Sequence, residues 1–327
     1  MRFQTLAIVL LFSSCNYHAE YRTLQGSALG TTYCVIYEEK KGFEDVRQLV
    51  ENTFREIDMS LSVYNPESII SKVNRNEPVV LDSMFIRVFE RGKEIYALTG
   101  GAFDMAAAPY FDLWGFGFTH RERVTQAKLD SIAVFAGMDK IGISNGEIEK
   151  ADHRVSLNAN AIAKGYCSDV VAFRLRDAGV VNLLVEIGGE IRCEGVNARG
   201  RAWRIAIDSP QYGNFIPGRE IEAKLLLSGR SLATSGNYRN YYEEDGIKYG
   251  HTIDPSTGSP AKNTLLSATV LASDCMTADA LATAFMVMGV KKTKAFLNAH
   301  PEVDAYLIYS DDSGEYRFYS TQNITFF

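Results

Sequence analysis

Two residues four apart, Asp279 and Thr283 in the run Thr277-Ala-Asp279-Ala-Leu-Ala-Thr283-Ala-Phe-Met-Val-Met288, are the side chains best placed to act together. The stretch up to Ala272 is rich in small and branched residues and reads as a strand, and Thr277 to Met288 reads as a helix closed by Gly289. On a helix, a spacing of four puts a carboxylate and a hydroxyl on one face, here near the N-terminus, where the helix dipole favours an anion. Both are hard oxygen donors of the kind Mg²⁺ or Ca²⁺ takes, and Mg²⁺ usually completes its shell with water and substrate phosphate. Taken alone, the pattern is better explained by a carboxylate near a helix start and a threonine bonded back to a carbonyl, because so short a motif does not stand by itself.

Other stretches carry chemistry of their own. Ala161-Ile-Ala163-Lys164-Gly165-Tyr166 leads into a helix through Leu175, then a strand Asn182 to Ile187 ending in Gly188-Gly189. That order could gather backbone N–H groups and Lys164 around a phosphate, and it suits a solvated helix-start lysine equally well. Pro109-Tyr-Phe-Asp-Leu-Trp114-Gly115-Phe116-Gly117 interleaves aromatics and glycines, as a wall for a flat ring or as plain core packing. His251 stands between a strand-like stretch and the turn Asp254-Pro255, at a loop edge, where a structural and a functional histidine are equally apt.

The elements that must position these residues mix without strict alternation. An alternating strand follows a glycine-bearing turn in Gln25 to Tyr37, and helical spacing runs through Glu44 to Leu61 and Met84 to Thr99. Ser60 to Asn74 reads as a Ser/Asn-rich loop, Trp203 to Pro210 as a strand, Gln211 to Arg219 as a loop, and a strand pair surrounds Ser228-Gly229-Arg230. The class is therefore α+β rather than a doubly wound parallel sheet, and neither a GxGxxG nor a Walker loop occurs.

The 327 residues suffice for a full core, and 46% hydrophobic with 23% charged residues is ordinary for a globular protein. A formal charge of −6 without a cationic cluster excludes sequence-independent nucleic-acid binding. Cys34, Cys167, Cys193 and Cys275 show no C-x-x-C spacing, which disfavours a zinc site and leaves buried free thiols as the reading. Residues 1–14 carry a basic residue, a short apolar run and two serines before Cys15, as a cleaved secretory signal does. The small-small-Cys ending resembles a bacterial lipoprotein signal, with Cys15 lipidated and 15–24 a tether; Phe12 is a bulky variant of the usual leucine-like position.

With these pieces in place, the body of the chain resembles the ApbE-type FAD:protein FMN transferases, a family of exported bacterial flavin transferases. The resemblance rests on separate motifs falling in order: Leu29-Gly30-Thr31, Ser62-Val-Tyr64 through Ser68 and Asn74, Gly101-Ala102-Phe103-Asp104, and Leu113-Trp114-Gly115-Phe116-Gly117. Then come Ala161 to Tyr166 with Asp169, Ile187-Gly188-Gly189, Thr234-Ser235-Gly236-Asn237-Tyr238, His251-Thr-Ile253-Asp254-Pro255-Ser-Thr257-Gly258, and Ala278-Asp279 to Thr283. It implies an ApbE-like, T-fold-related single catalytic domain with two lobes over 25–327. By the same resemblance Leu29, Tyr64, Ala102, Phe103, Asp104, Asn158, Lys164 and Ile253 contact FAD, and Asp279, Thr283 and the carbonyl of Ala161 bind Mg²⁺, with Ca²⁺ the alternative ion. Leu29 replaces the usual Met, Asn158 a common Asp, and Met105-Ala106 a Pro-Thr pair.

The implied reaction moves FMN from FAD to a threonine hydroxyl of an acceptor protein and releases AMP, in an enzyme exported, held to a bacterial membrane through the lipid on Cys15, and facing the periplasm. Metal and lysine fit that chemistry, since cleaving a pyrophosphate requires charge neutralisation on its oxygens. His251, whose pKa suits the task, is the candidate for proton transfer or for stabilising the leaving phosphate, with Asp254 to orient it and Asp279 at the catalytic centre. Two other readings compete: an FAD pyrophosphatase giving FMN and AMP, and a lipoprotein that binds FAD without turnover.

Overall fold

The computed structural model describes residues 20–40, 45–116, 123–210, 218–237, 241–244, 247–250 and 252–327, with only the backbone of 241–244 and 247–250. In chain order the elements begin with β1 (Tyr21–Ala28), β2 (Thr31–Glu38), α1 (Val46–Leu61), α2 (Ile69–Asn74) and α3 (Ser83–Leu98). A 3₁₀ turn (Met105–Ala107) enters α4 (Ala108–Leu113), followed by α5 (Gln126–Ala133), β3 (Ile141–Ser144), β4 (Glu147–Lys150) and α6 (Ala163–Asp177). Next are β5 (Leu183–Ile187), β6 (Glu190–Glu194), β7 (Trp203–Asp208), β8 (Ile221–Leu227), β9 (Ser231–Gly236), β10 (Tyr241–Glu244) and β11 (Ile247–Gly250). The chain ends through β12 (Ile253–Asp254), β13 (Ser259–Pro260), β14 (Leu265–Ala272), α7 (Cys275–Ala299), β15 (Asp304–Ser310) and β16 (Tyr316–Ser320).

One eight-stranded sheet, ordered β1-β2-β5-β6-β9-β14-β15-β16 and antiparallel throughout, organises the molecule. Alternation along its strands separates two cores: Leu183, Val185 and Ile187 pack with the helices on one face, and Leu184 packs on the other with β7 and β8. The α+β expectation is met, because helices accompany an antiparallel sheet and not the parallel one of a doubly wound fold.

Four local readings are corrected. β1 starts at Tyr21, with Leu24 buried, so the fold begins inside the stretch 15–24 assigned to a tether. Ile69–Asn74 is helix, not loop, because the Ser68 hydroxyl accepts from the Ser71 amide at 3.1 Å and caps it. The strands flanking Ser228-Gly229-Arg230 do not pair with each other: Leu225 and Leu227 draw β8 onto β7 in the second core, whereas β9 joins β6 and β14. Gly289, with φ 69° and ψ 175°, breaks α7 without ending it, since burial of Phe296 and Leu297 carries the helix on to Ala299.

Cys167, Cys193 and Cys275 are buried free thiols, as expected, and Cys34 is half-buried. Among the described residues no helix is long and apolar enough to cross a membrane.

Candidate active site

The geometry starts where α6 meets α7. A Cβ on Gly165 would lie 2.7 Å from the Cys275 carbonyl carbon and 2.8 Å from Asp279 Cβ, so only glycine allows the helices this close. That approach lets the Gly165 amide donate to Asp279 Oδ2 at 3.0 Å. Asp169, one turn along α6, accepts from the amides of Cys275 (2.9 Å) and Met276 (2.8 Å), while Asp274 accepts from Thr277 at 2.8 Å. The first three amides of α7 are thereby satisfied by two carboxylates, and the helix is locked at the height that presents Asp279 and Thr283. Thr283 Oγ1 lies 3.3 Å from Ser235 Oγ on β9, which ties the second residue to the sheet.

A cleft of about 1050 Å³ opens over this junction. Ala161, Asp279 and Thr283 all line it, so the two distant segments expected to share a cation converge on one cavity. Lys164 lines it as well, its Nζ 2.8 Å from Glu190 Oε1. Glu190 is buried, and its Oε2 has no hydrogen-bond partner.

Asp279, Glu190 and Lys164 thus bring two carboxylates to one ammonium in a buried setting. Burial pushes the Asp279 carboxyl up against the opposing pull of Lys164 and the Gly165 amide. Burial likewise raises Glu190, to about 8, with Lys164 opposing and Asp279 adding to the rise. For Lys164 burial works against the charged form, but Asp279 and Glu190 outweigh it and the ammonium is held above its ordinary value.

This cluster is short of positive charge and carries an unmatched carboxylate oxygen, which fits a hard cation. Among the described residues no group of three or more His, Cys, Asp or Glu is placed to hold a metal, so any cation here draws on hydroxyl and carbonyl oxygens too.

The wall opposite is built by small reciprocal bonds. Asn74 Nδ2 donates to the Leu157 carbonyl (2.8 Å) while the Leu157 amide donates to Asn74 Oδ1 (2.7 Å), a side-chain mimic of strand pairing. The next residue, Asn158, donates its amide to the Met105 carbonyl at 2.8 Å and accepts from the Asn160 amide at 2.9 Å. Asn160 in turn donates to the Tyr64 hydroxyl at 3.2 Å, and Tyr64, 66% exposed, stands at the mouth. Asp104 accepts from the Ala106 amide at 2.7 Å and so caps the 3₁₀ turn that sets Phe103 and Asp104 on the lining. Burial raises the Asp104 carboxyl to about 7, against the amides of Ala106 and Met138.

Trp114 Nε1 donates to the Gly258 carbonyl at 2.7 Å, anchoring the turn after Ile253, which is buried against Ala107 and Tyr110. Asp254 is occupied within that turn, accepting from the amide (2.9 Å) and hydroxyl (2.6 Å) of Ser256.

The cleft therefore gathers Tyr64, Ala102, Phe103, Asp104, Asn158, Ala161, Lys164, Ile253, Asp279 and Thr283. Leu29 is half-buried in the β1–β2 turn with φ 52° and is not part of the lining; Thr31 and Thr32 of the same hairpin are. His251 lies outside the described residues. Of the interleaved aromatics, Phe111 and Phe116 line the cleft, while Tyr110 serves the core beside Leu113. Sequence reasoning missed Glu190 and Ser235. The available signal for Glu190 was an acidic residue directly after Gly188-Gly189, at a hairpin tip beside a lysine-bearing helix start.

The chain is similar to known proteins over most of its length. The ApbE family model matches residues 29–307. The FAD:protein FMN transferase of Vibrio cholerae is 36% identical over 94% of this chain and 93% of its own length, and that of Haemophilus influenzae 33% identical over 94% and 92%. The solved flavin transferase ApbE of Vibrio cholerae superposes with a TM-score of 0.83 at 34% identity, covering 93% of this chain and 98% of the other. The apo flavinyl transferase ApbE of Pseudomonas stutzeri gives 0.83 at 31% identity, covering 94% and 96%.

Proposed function

The chain belongs to the ApbE family, and from that premise we propose that it transfers FMN from FAD to a threonine hydroxyl of an acceptor protein, releases AMP, and uses Mg²⁺. The observation that carries the reading is the convergence of Ala161, Lys164, Asp279 and Thr283 on one cleft with a buried excess of carboxylate. Carboxylate, hydroxyl and backbone carbonyl form an all-oxygen donor set that suits Mg²⁺, and Ca²⁺ is the alternative. A cation bound by Asp279, Thr283 and the Ala161 carbonyl would neutralise charge on the pyrophosphate oxygens.

The chain's own residues supply positioning and electrostatics. Lys164, kept charged by Asp279 and Glu190, offers its ammonium to a phosphate oxygen. Phe103, Asp104, Asn158 and Ile253, with Tyr64 at the mouth, hold the dinucleotide in the cleft. The acceptor Oγ bonds to the riboflavin-side phosphorus as the P–O–P bond breaks, the hydroxyl proton passes to a base, and the adenosine-side phosphate keeps the bridging oxygen and leaves as AMP. We assign proton transfer, or stabilisation of the leaving phosphate, to His251 from the general aptitude of an imidazole for moving protons near neutral pH and from its place in the motif before Asp254. We further propose export and a lipid anchor on Cys15, from the small-small-Cys pattern at the end of the apolar run.

The test is mass spectrometry of exported proteins with and without this chain, joined to incubation of the purified chain with FAD, Mg²⁺ and the acceptor so found. A threonine carrying FMN together with free AMP is the expected result. FMN and AMP released without acceptor would convert the reading to a pyrophosphatase, and FAD bound without turnover to a storage protein.

A further inference from the structure

The β9 strand has an open edge on the wall of the cleft. The Arg230 carbonyl accepts from the Cys193 amide at 3.3 Å, toward β6, whereas the Asn237 amide donates to the Leu266 carbonyl at 3.2 Å, toward β14. Backbone direction alternates along a strand, so Leu232, Thr234 and Gly236 aim at the β6 side, and Ala233 and Ser235 at β14. Leu232 finds Ile191 there. Thr234 and Gly236 do not, because the chain turns away through Gly188 and Gly189, whose amides donate to the Thr32 carbonyl (3.0 Å) and to Glu186 Oε1 (2.7 Å). β9 thus runs past the end of the β5–β6 hairpin, and Thr234 and Gly236, paired with β14 on one side, line the cleft with no partner strand on the β6 side among the described residues.

We infer that this edge receives the acceptor protein, as an extended segment adding antiparallel to β9 with its modified threonine opposite Ser235. The inference rests on the transferase reading, which requires a polypeptide to enter this cleft. An edge offering N–H and C=O groups two residues apart is the feature that recognises an extended backbone whatever its side chains. Antiparallel addition continues the one pairing mode of the sheet. Residues directly opposite project to the same face, and Ser235 projects toward α7, its Oγ 3.3 Å from Thr283 Oγ1. A threonine opposite Ser235 would therefore present its hydroxyl beside Thr283, and its two sequence neighbours would face Thr234 and Gly236.

The pairing makes an alternating demand on the acceptor backbone. The amides of the residues just before and just after the threonine donate to β9, and the threonine's own amide points away. Synthetic peptides of about nine residues, long enough to span the edge, centred on the threonine identified above, would be methylated at one of these three amides in turn. FMN transfer would then be timed with the unaltered enzyme, FAD and Mg²⁺. Methylation on either side of the threonine should slow transfer roughly tenfold or more, and methylation of the threonine amide by no more than about twofold. Equal effects at all three positions, or a loss confined to the threonine amide, overturns the inference and leaves the transferase reading intact. No transfer to the parent peptide, when the whole acceptor is also unlabelled, overturns both.

Discussion

The Gly165 amide donates to Asp279 Oδ2 at 3.0 Å across the contact of α6 with α7. This bond makes the lysine-bearing turn and the aspartate-bearing turn one unit, since whatever separates the helices also moves Asp279 relative to Lys164 and Ala161. Coupling of this kind explains how residues 115 positions apart in sequence, Lys164 and Asp279, can share one charge cluster.

Gly165→Ala is the direct probe of that unit. The added Cβ meets backbone atoms of Cys275 and the Cβ of Asp279, neither of which is the free end of a side chain. Forced separation of the helices should cost about 1–3 kcal/mol and lower the Tm accordingly. FMN transfer should fall further than stability does. An alanine variant with unchanged Tm and transfer rate would show that the close approach is not what sets the site.

Lys164 and Glu190 should behave as a coupled pair. Removing the lysine alone, as Lys164→Met, leaves two buried carboxylates facing each other, and breaking a buried pair costs about 3–5 kcal/mol. Lys164 is 30% exposed, which places the loss at the lower end of that range. Adding Glu190→Gln should restore much of the Tm and none of the transfer, because the charge conflict is relieved while the ammonium stays absent. A double-mutant cycle by thermal unfolding measures the coupling, and additive effects would refute it.

The pair itself was hard to read from the chain, for a physical reason. Helical spacing alone put Asp279 and Thr283 on one face but did not join them to Ala161, which took the resemblance, and the small-residue strand before them announced β14. The α+β class followed from the irregular mix of elements. Glu190, by contrast, left only the faint signal of an acidic residue after Gly188-Gly189, because its contact with Lys164 is made only when the β5–β6 hairpin folds over α6. Gly289 misled because a glycine after a helical run usually marks its end, whereas here Phe296 and Leu297 reward the helix for resuming. The strands around Gly229 misled in the same way: a Ser-Gly-Arg turn suggests a hairpin, but Leu225 and Leu227 are buried against Trp203 and Ile205 in the second core.

Cation binding should appear as stability. A ligand that binds only the folded chain raises its stability by about 2.7 kcal/mol at a hundredfold excess over Kd, so titrating Mg²⁺ should raise the Tm in a saturable way. Asp279→Asn keeps an oxygen that can accept from Gly165 and removes one charge from a cluster that has too many. It should fold at least as well as the parent without Mg²⁺, show no Mg²⁺-dependent rise, and transfer no FMN. A parent-like rise in the variant would remove Asp279 from the ligand set.

Acidity should favour the fold between about pH 4 and pH 7. Burial raises Asp104 from its ordinary 3.8 to about 7, so in that window the folded chain holds a proton that the unfolded chain has released. The sign follows: this contribution is fully present below pH 3.8 and is lost as pH rises toward and through 7. Asp169, also raised to about 7 chiefly by burial, and Glu190, raised to about 8, slope the same way, so the wild-type Tm alone does not isolate Asp104. Asp104→Asn does, because its amide is neutral at every pH and its oxygen can still accept from the Ala106 amide. The variant should lose part of the fall in Tm between pH 4 and 7 and exceed the parent above pH 7, with parallel Tm curves counting against the assignment.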